Sequence, residues 1–131
     1  MSIQEQLRER TKQFGFRIIR LFKSLPRSTE ALVIGKQLLR SGTAVAANYR
    51  AVNPARSRAE FIARIGVVLE EADETVFWLE ALTEAGVVKP ALLEPLLKEA
   101  SELVATFAAS QRTARSNTAA PRQSPDDPMS R

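Results

Sequence analysis

The sequence predicts an all-α protein folded as an antiparallel up-and-down four-helix bundle. Three observations lead there. Apolar residues make up 44% of the chain but aromatics only 6%, with Leu and Ala dominant and five glycines in 131 residues, a balance that favours helices over packed sheets. Apolar positions recur at three- and four-residue intervals in four separate segments, the period of a helix with one buried face. The breaks between those segments are short, and short connections between amphipathic helices give antiparallel neighbours around one core. A chain of this length supports one such core and not two.

In the first segment Ile3, Leu7, Phe14, Ile18, Leu21 and Leu25 form a stripe, while Arg8, Arg10, Lys12, Arg17, Arg20 and Lys23 lie away from it. Leu25 precedes Pro26, which disfavours helical backbone at the residue before it and ends the helix near Ser24. Ser28 is placed to cap the second helix, with Glu30 in the first turn where the helix dipole favours an anion. That helix is expected to run to about Val52, with Ile34, Leu38, Val45, Tyr49 and Val52 inward and Gly35, Gly42 and Ala46 beside them as a close-packed seam.

Asn53 and Pro54 break the pattern. Ser57 and Glu60 then stand three apart ahead of an apolar run, the spacing of a capping box. The third helix places Phe61, Ile65, Val68, Leu69, Ala72, Val76 and Leu79 on one face and stops at Gly86. In the fourth, Leu93, Leu96, Leu97, Ala100, Leu103, Val104 and Phe107 share a side, Pro90 suits the first helical position, and Pro95 either kinks the first turns or marks the start. Residues 1–110 therefore read as the folded domain. Residues 111–131, polar and containing three prolines, read as a disordered tail.

Several functions are disfavoured by composition. Cysteine and histidine are both absent, which removes disulfides, thiolate zinc sites, the commonest general base and every Ser-His or Cys-His arrangement. Glu70, Glu71, Asp73 and Glu74 cluster on the third helix, but without histidine a solvated acidic face or salt bridges explain them better than a metal site. The expectation is no enzyme, no cofactor and no metal. The charged N-terminus does not read as an export signal, and the longest apolar stretch is interrupted by Lys36 and Arg40, so a soluble cytoplasmic protein with no membrane partner is expected.

Charge is unevenly spread. Residues 1–27 hold seven Lys/Arg against two Glu, residues 28–110 eight against eleven acids, and the remainder four against two. Arg8, Arg10, Lys12, Arg17, Arg20 and Lys23 are the candidate nucleic-acid contacts, set against the plainer reading of a solvated basic face. Gln37, Ser41 and Asn48 form a polar line along the second helix, read as structural hydrogen bonds to neighbouring helices or as a ligand contact. Phe16, Ile19, Val67, Phe77, Trp78 and Ala81 are apolar but lie off the core stripes, which points to self-association. Arg50 faces away from the core, toward solvent, a sister subunit or a phosphate.

Gln37, Ser41, Ala47 and Asn48, followed by Phe61, Glu71, Ala72, Glu74, Thr75, Trp78 and Leu79, resemble the pattern of the four-helix bundle proteins grouped as S23-type ribosomal RNA intervening-sequence proteins. The resemblance covers residues 10–110. It implies the bundle fold and a ring-like homopentamer, and it extends to accessory proteins of reverse transcriptases that bind nucleic acid. Ala51 and Val52 depart from the pattern, which has an acidic residue after the Asn. Two functions fit: an oligomeric protein that binds RNA or DNA, and a scaffold whose partner is another protein.

Overall fold

The computed structural model describes residues 1–119, which form four helices: α1 (Ile3–Ser24), α2 (Thr29–Tyr49), α3 (Arg58–Glu84) and α4 (Pro90–Ala119). Consecutive helices pack along their lengths, and α4 returns to close more loosely against α1. The antiparallel course is visible in the contacts. Along the α1/α2 seam Gly15 faces Gly42, Thr43 and Ala46, Ile18 faces Gly42, and Phe22 and Leu25 face Gly35, so numbering falls on one helix as it rises on the other. The bundle expected from the sequence is the bundle observed.

The helix ends follow local chemistry. Ser2 and Glu5 form a reciprocal capping box at the start of α1. Ser28 caps α2 by accepting from the Ala31 N–H at 3.2 Å. Ser57 accepts from the Glu60 N–H at 3.0 Å, but the Glu60 carboxylate reaches the Arg56 N–H at 2.6 Å, so the return bond of the expected box lands one residue upstream. Gly86, at φ +74°, ends α3 in a Schellman motif: the Val87 N–H bonds to the Leu82 carbonyl and the Gly86 N–H to that of Thr83.

Two boundaries differ from the sequence reading, the ends of α2 and α4, and the start of α4 takes one of its two alternatives. α2 ends at Tyr49, and the next residues make tight turns in which Ala51 N–H meets Asn48 O and Val52 N–H meets Tyr49 O. Pro54 denies helical backbone to Asn53, yet Val52 stays buried. α4 starts at Pro90 and carries Pro95 inside it. It also continues through Ala119, so residues 111–119 are helical and not a disordered tail. They contain neither Gly nor Pro, and Gln111 anchors them by donating to the Ile62 carbonyl at 3.4 Å. The remainder of the expected tail lies outside the described residues.

The core is built from Phe14 and Ile18 of α1, Leu38 and Val45 of α2, Ile65, Val68, Leu79 and Leu82 of α3, and Leu103 and Phe107 of α4, all essentially inaccessible. Burying each such side chain stabilises the fold by about 1.5–3 kcal/mol. Ile3, assigned to the α1 stripe from its spacing, is instead 72% exposed, and Thr11 takes a core place, its hydroxyl bonded to the Arg8 carbonyl. Among the described residues no helix is long and apolar enough to cross a membrane.

Candidate nucleic-acid and subunit surfaces

The six basic residues of α1 do not form one surface. Arg10 is committed within the bundle: its Nε and Nη2 donate to the two carboxylate oxygens of Glu99 at 3.1 and 2.8 Å, and Glu102 lies 3.6 Å away. The Glu99 hydrogen bond raises the guanidinium pKa further, against the opposing effect of partial burial. This fork holds α4 against α1, the most loosely packed of the helix pairs in contact. The pair is partly solvated, so Arg10→Ala is expected to cost less than about 1 kcal/mol of stability.

Lys12, Arg17, Arg20 and Lys23 enter no ion pair among the described residues. Lys12, Arg20 and Lys23 are exposed and Arg17 half-buried. Arg17, seven residues on from Arg10, continues its edge on the side of α1 that faces α4, whereas Arg20, ten residues on, turns toward solvent. Arg8 and Lys12 line a groove of about 220 Å³ between α1 and the end of α2, together with Met1, Glu5, Glu9, Ala46 and Arg50. Arg50, left open by the sequence, thus comes beside two α1 cations. No local signal could have placed it there, because the neighbours are some forty residues distant in the chain.

The polar line on α2 divides in three. Ser41 is fully buried, and the equally buried Thr75 of α3 donates to its hydroxyl at 2.9 Å; this is the expected interhelical bond. Asn48 instead donates to the Ala44 carbonyl of its own helix at 2.9 Å, because its half-buried position leaves that oxygen within reach. Gln37 is exposed and accepts from Arg40 Nε at 3.5 Å. Thr75→Val would remove the donor to Ser41, and a stability loss of about 1 kcal/mol is expected by chemical denaturation.

Arg40 also accounts for two of the four acids clustered on α3. It bridges Glu71, at 3.1 Å, and Glu74, while Trp78 Nε1 donates to Glu74 at 3.0 Å. The Trp78 bond, then Arg40, hold the Glu74 carboxyl below the usual carboxylate range. Gln37, Arg40, Ser41, Glu71, Glu74, Thr75 and Trp78 therefore form a polar seam clamping α2 to α3, and several residues of the recognised pattern serve this structural purpose. Among the described residues no group of acidic side chains could hold a metal ion.

The off-stripe apolar residues separate by exposure. Phe16 (46%), Val67 (44%) and Phe77 (58%) are open to solvent. Trp78 packs against the core and supports Phe77 edge-on at 4.8 Å between ring centroids. Ile19 and Ala81 are half-buried. Leu32, Val33 and Leu92 are also exposed, although their spacing had not distinguished them. An open groove of about 820 Å³ runs between the start of α3 and the far end of α4, lined by Arg58, Phe61, Thr106, Ser110, Thr113 and Asn117 among others.

Four antiparallel helices held by an α2/α3 polar clamp define an all-α bundle. Residues 4–109 match the family model described as 23S rRNA-intervening sequence protein. The chain belongs to that family. It is similar to a solved protein of unknown function from the S23 ribosomal protein family of Bacteroides thetaiotaomicron, with 31% identity and a TM-score of 0.76 over 83% of this chain and 97% of that one. Comparison with curated proteins gives no match.

Proposed function

We propose that this is a non-enzymatic, self-associating protein that binds RNA or DNA through the phosphate backbone. The observation that carries the reading is the run from Arg10 to Thr29, which contains six Lys/Arg and no acid. Of those cations only Arg10 enters an ion pair among the described residues. Cations left without partners are free to displace counterions from phosphates, and repetition around an oligomer such as the homopentamer implied by the resemblance sums several weak contacts into useful affinity. The family description, which couples these proteins with a 23S rRNA intervening sequence, agrees with nucleic acid as the partner class. Phosphate contacts alone carry little sequence preference.

The test is retention of a labelled single-stranded RNA across a salt series. Affinity should fall steeply with salt, and Arg17→Ala with Arg20→Ala should weaken binding and reduce the logarithmic salt slope by about 1.4 per protomer. Arg10→Ala should leave binding unchanged, because that guanidinium is occupied by Glu99. No retention at low salt would sink the proposal. A second reading, a scaffold for another protein, draws on the exposed Phe16 and Phe77. Capture of one protein partner that survives nuclease treatment, with no RNA retention, would favour it.

A further inference from the structure

The exposed charges and the exposed aromatics fall into two matching stripes. On α1, Lys12, Phe16, Ile19 and Lys23 follow one another at intervals of four, three and four residues, and all but the half-buried Ile19 are exposed. On α3, Asp73, Phe77, Glu80 and Glu84 repeat the same intervals and are all exposed. Residues at these intervals share a helix face. Each stripe spans about 16 Å at 1.5 Å per residue. Each has an aromatic residue between terminal charges eleven positions apart, positive on α1 and negative on α3.

The surroundings reinforce the contrast. No acid occurs between Arg10 and Thr29, and no Lys or Arg between Ile65 and Val88, where six acids lie. Two of those six, Glu71 and Glu74, are taken by Arg40. Asp73, Glu80 and Glu84 enter no ion pair among the described residues, nor do Lys12 and Lys23. Within one molecule the stripes cannot satisfy each other, because α1 and α3 share no packed contact.

We infer that the α3 stripe of one copy docks on the α1 stripe of the next. The inference rests on the self-association in the proposed function and specifies which faces meet. The occupant is a second copy because one chain carries both halves, with equal length, opposite charge and an exposed aromatic in each. Such a contact is heterologous: every copy offers one donor face and one acceptor face, so association closes into a ring or continues as a filament. Phe16 and Phe77 supply the desolvated centre, and the charged ends fix register and exclude like-charged pairings. Arg17, seven residues on from the α4-bound Arg10, lies on the α4 side of α1 outside the stripe and stays available to phosphate, whereas Arg20, four residues on from Phe16, borders the stripe.

Light scattering on the full chain at low and moderate salt tests this. The wild type should have a mass that is a multiple of 14.5 kDa. Lys12→Glu with Lys23→Glu should be monomeric, as should Asp73→Lys with Glu80→Lys and Glu84→Lys. Combining all five substitutions reverses both faces together and should restore the assembly, and an equimolar mixture of the two partial variants should assemble as well. Circular dichroism reports whether each variant keeps its helices; if a charge set unfolds, the exposed Phe77→Ser replaces it and should also be monomeric. A monomeric wild type, a partial variant of undiminished mass, or a helical five-substitution variant that stays monomeric would each overturn the inference. RNA retention is read on the wild type in the same buffers: a monomeric wild type that retains RNA overturns the docking and the self-association but not the phosphate contact, and an oligomeric wild type that ignores RNA overturns the nucleic-acid reading alone.

Discussion

Phe107→Ala is expected to lower the unfolding free energy by about 3–5 kcal/mol, the range for deleting a fully buried aromatic side chain. Phe107 has no exposed surface. Its ring lies 5.6 Å from that of Tyr49, tilted by 32°, so it joins α4 to α2 across the bundle interior, where those two helices are not sequence neighbours. Truncation removes the buried surface and leaves a cavity that rigid helices on all sides cannot close. Small domains are stable by about 5–15 kcal/mol in total, so the loss is a large share. Urea denaturation at fixed protein concentration should show a lower midpoint with an unchanged slope. A loss below about 1 kcal/mol would mean that Phe107 does not hold the core together as described.

Gly42→Leu is expected to destabilise by about 3 kcal/mol or more, although leucine is the better helix former by nearly 1 kcal/mol. A Cβ added at Gly42 would lie 2.7 and 2.9 Å from Ile18 Cγ1 and Cγ2, closer than carbon atoms approach. Ile18 is itself fully buried and β-branched, so it has few rotamers to move into. Gly15 is the control on the other side of the same seam. A Cβ there would meet Ala46 Cβ at 3.8 Å and Gly42 O at 3.9 Å, ordinary contacts, so Gly15→Ala should gain up to about 1 kcal/mol from helix propensity alone. Two substitutions in one seam thus carry opposite signs, and thermal midpoints of the pair distinguish close packing from a general intolerance of side chains. Destabilisation by both would reject the geometry given for Gly15.

These residues also indicate how far the sequence could be read. The α1/α2 seam was legible because glycines and alanines at helical spacing have few uses other than close approach. The stops at Leu25-Pro26 and Gly86 were legible because each acts through its own backbone. The end of α4 was not: residues 111–119 are mostly polar, and the contact that Gln111 makes to Ile62, 49 positions away, leaves no local signal. Arg10 was misplaced for the same reason, since Glu99 lies 89 positions along the chain and nothing local marks the pairing. Asn48 carries the opposite lesson. Its place in the recognised pattern suggested a partner on another helix, whereas the side chain bonds to Ala44 one turn back. Trp78, grouped with the free interface residues by its off-stripe position, sits at the margin of the core as a donor to Glu74. Periodicity located the helices and their faces, while tertiary pairing decided which charges remained free.

The free charges carry the functional account, and they are tested most directly by the mass of the protein in solution with and without a short single-stranded RNA, measured by light scattering at low and at high salt. The account predicts a multiple of 14.5 kDa without RNA, an added RNA mass at low salt, and loss of that RNA as salt rises, because the contact is to phosphate. A mass of 14.5 kDa under every condition, with no RNA carried, would contradict it.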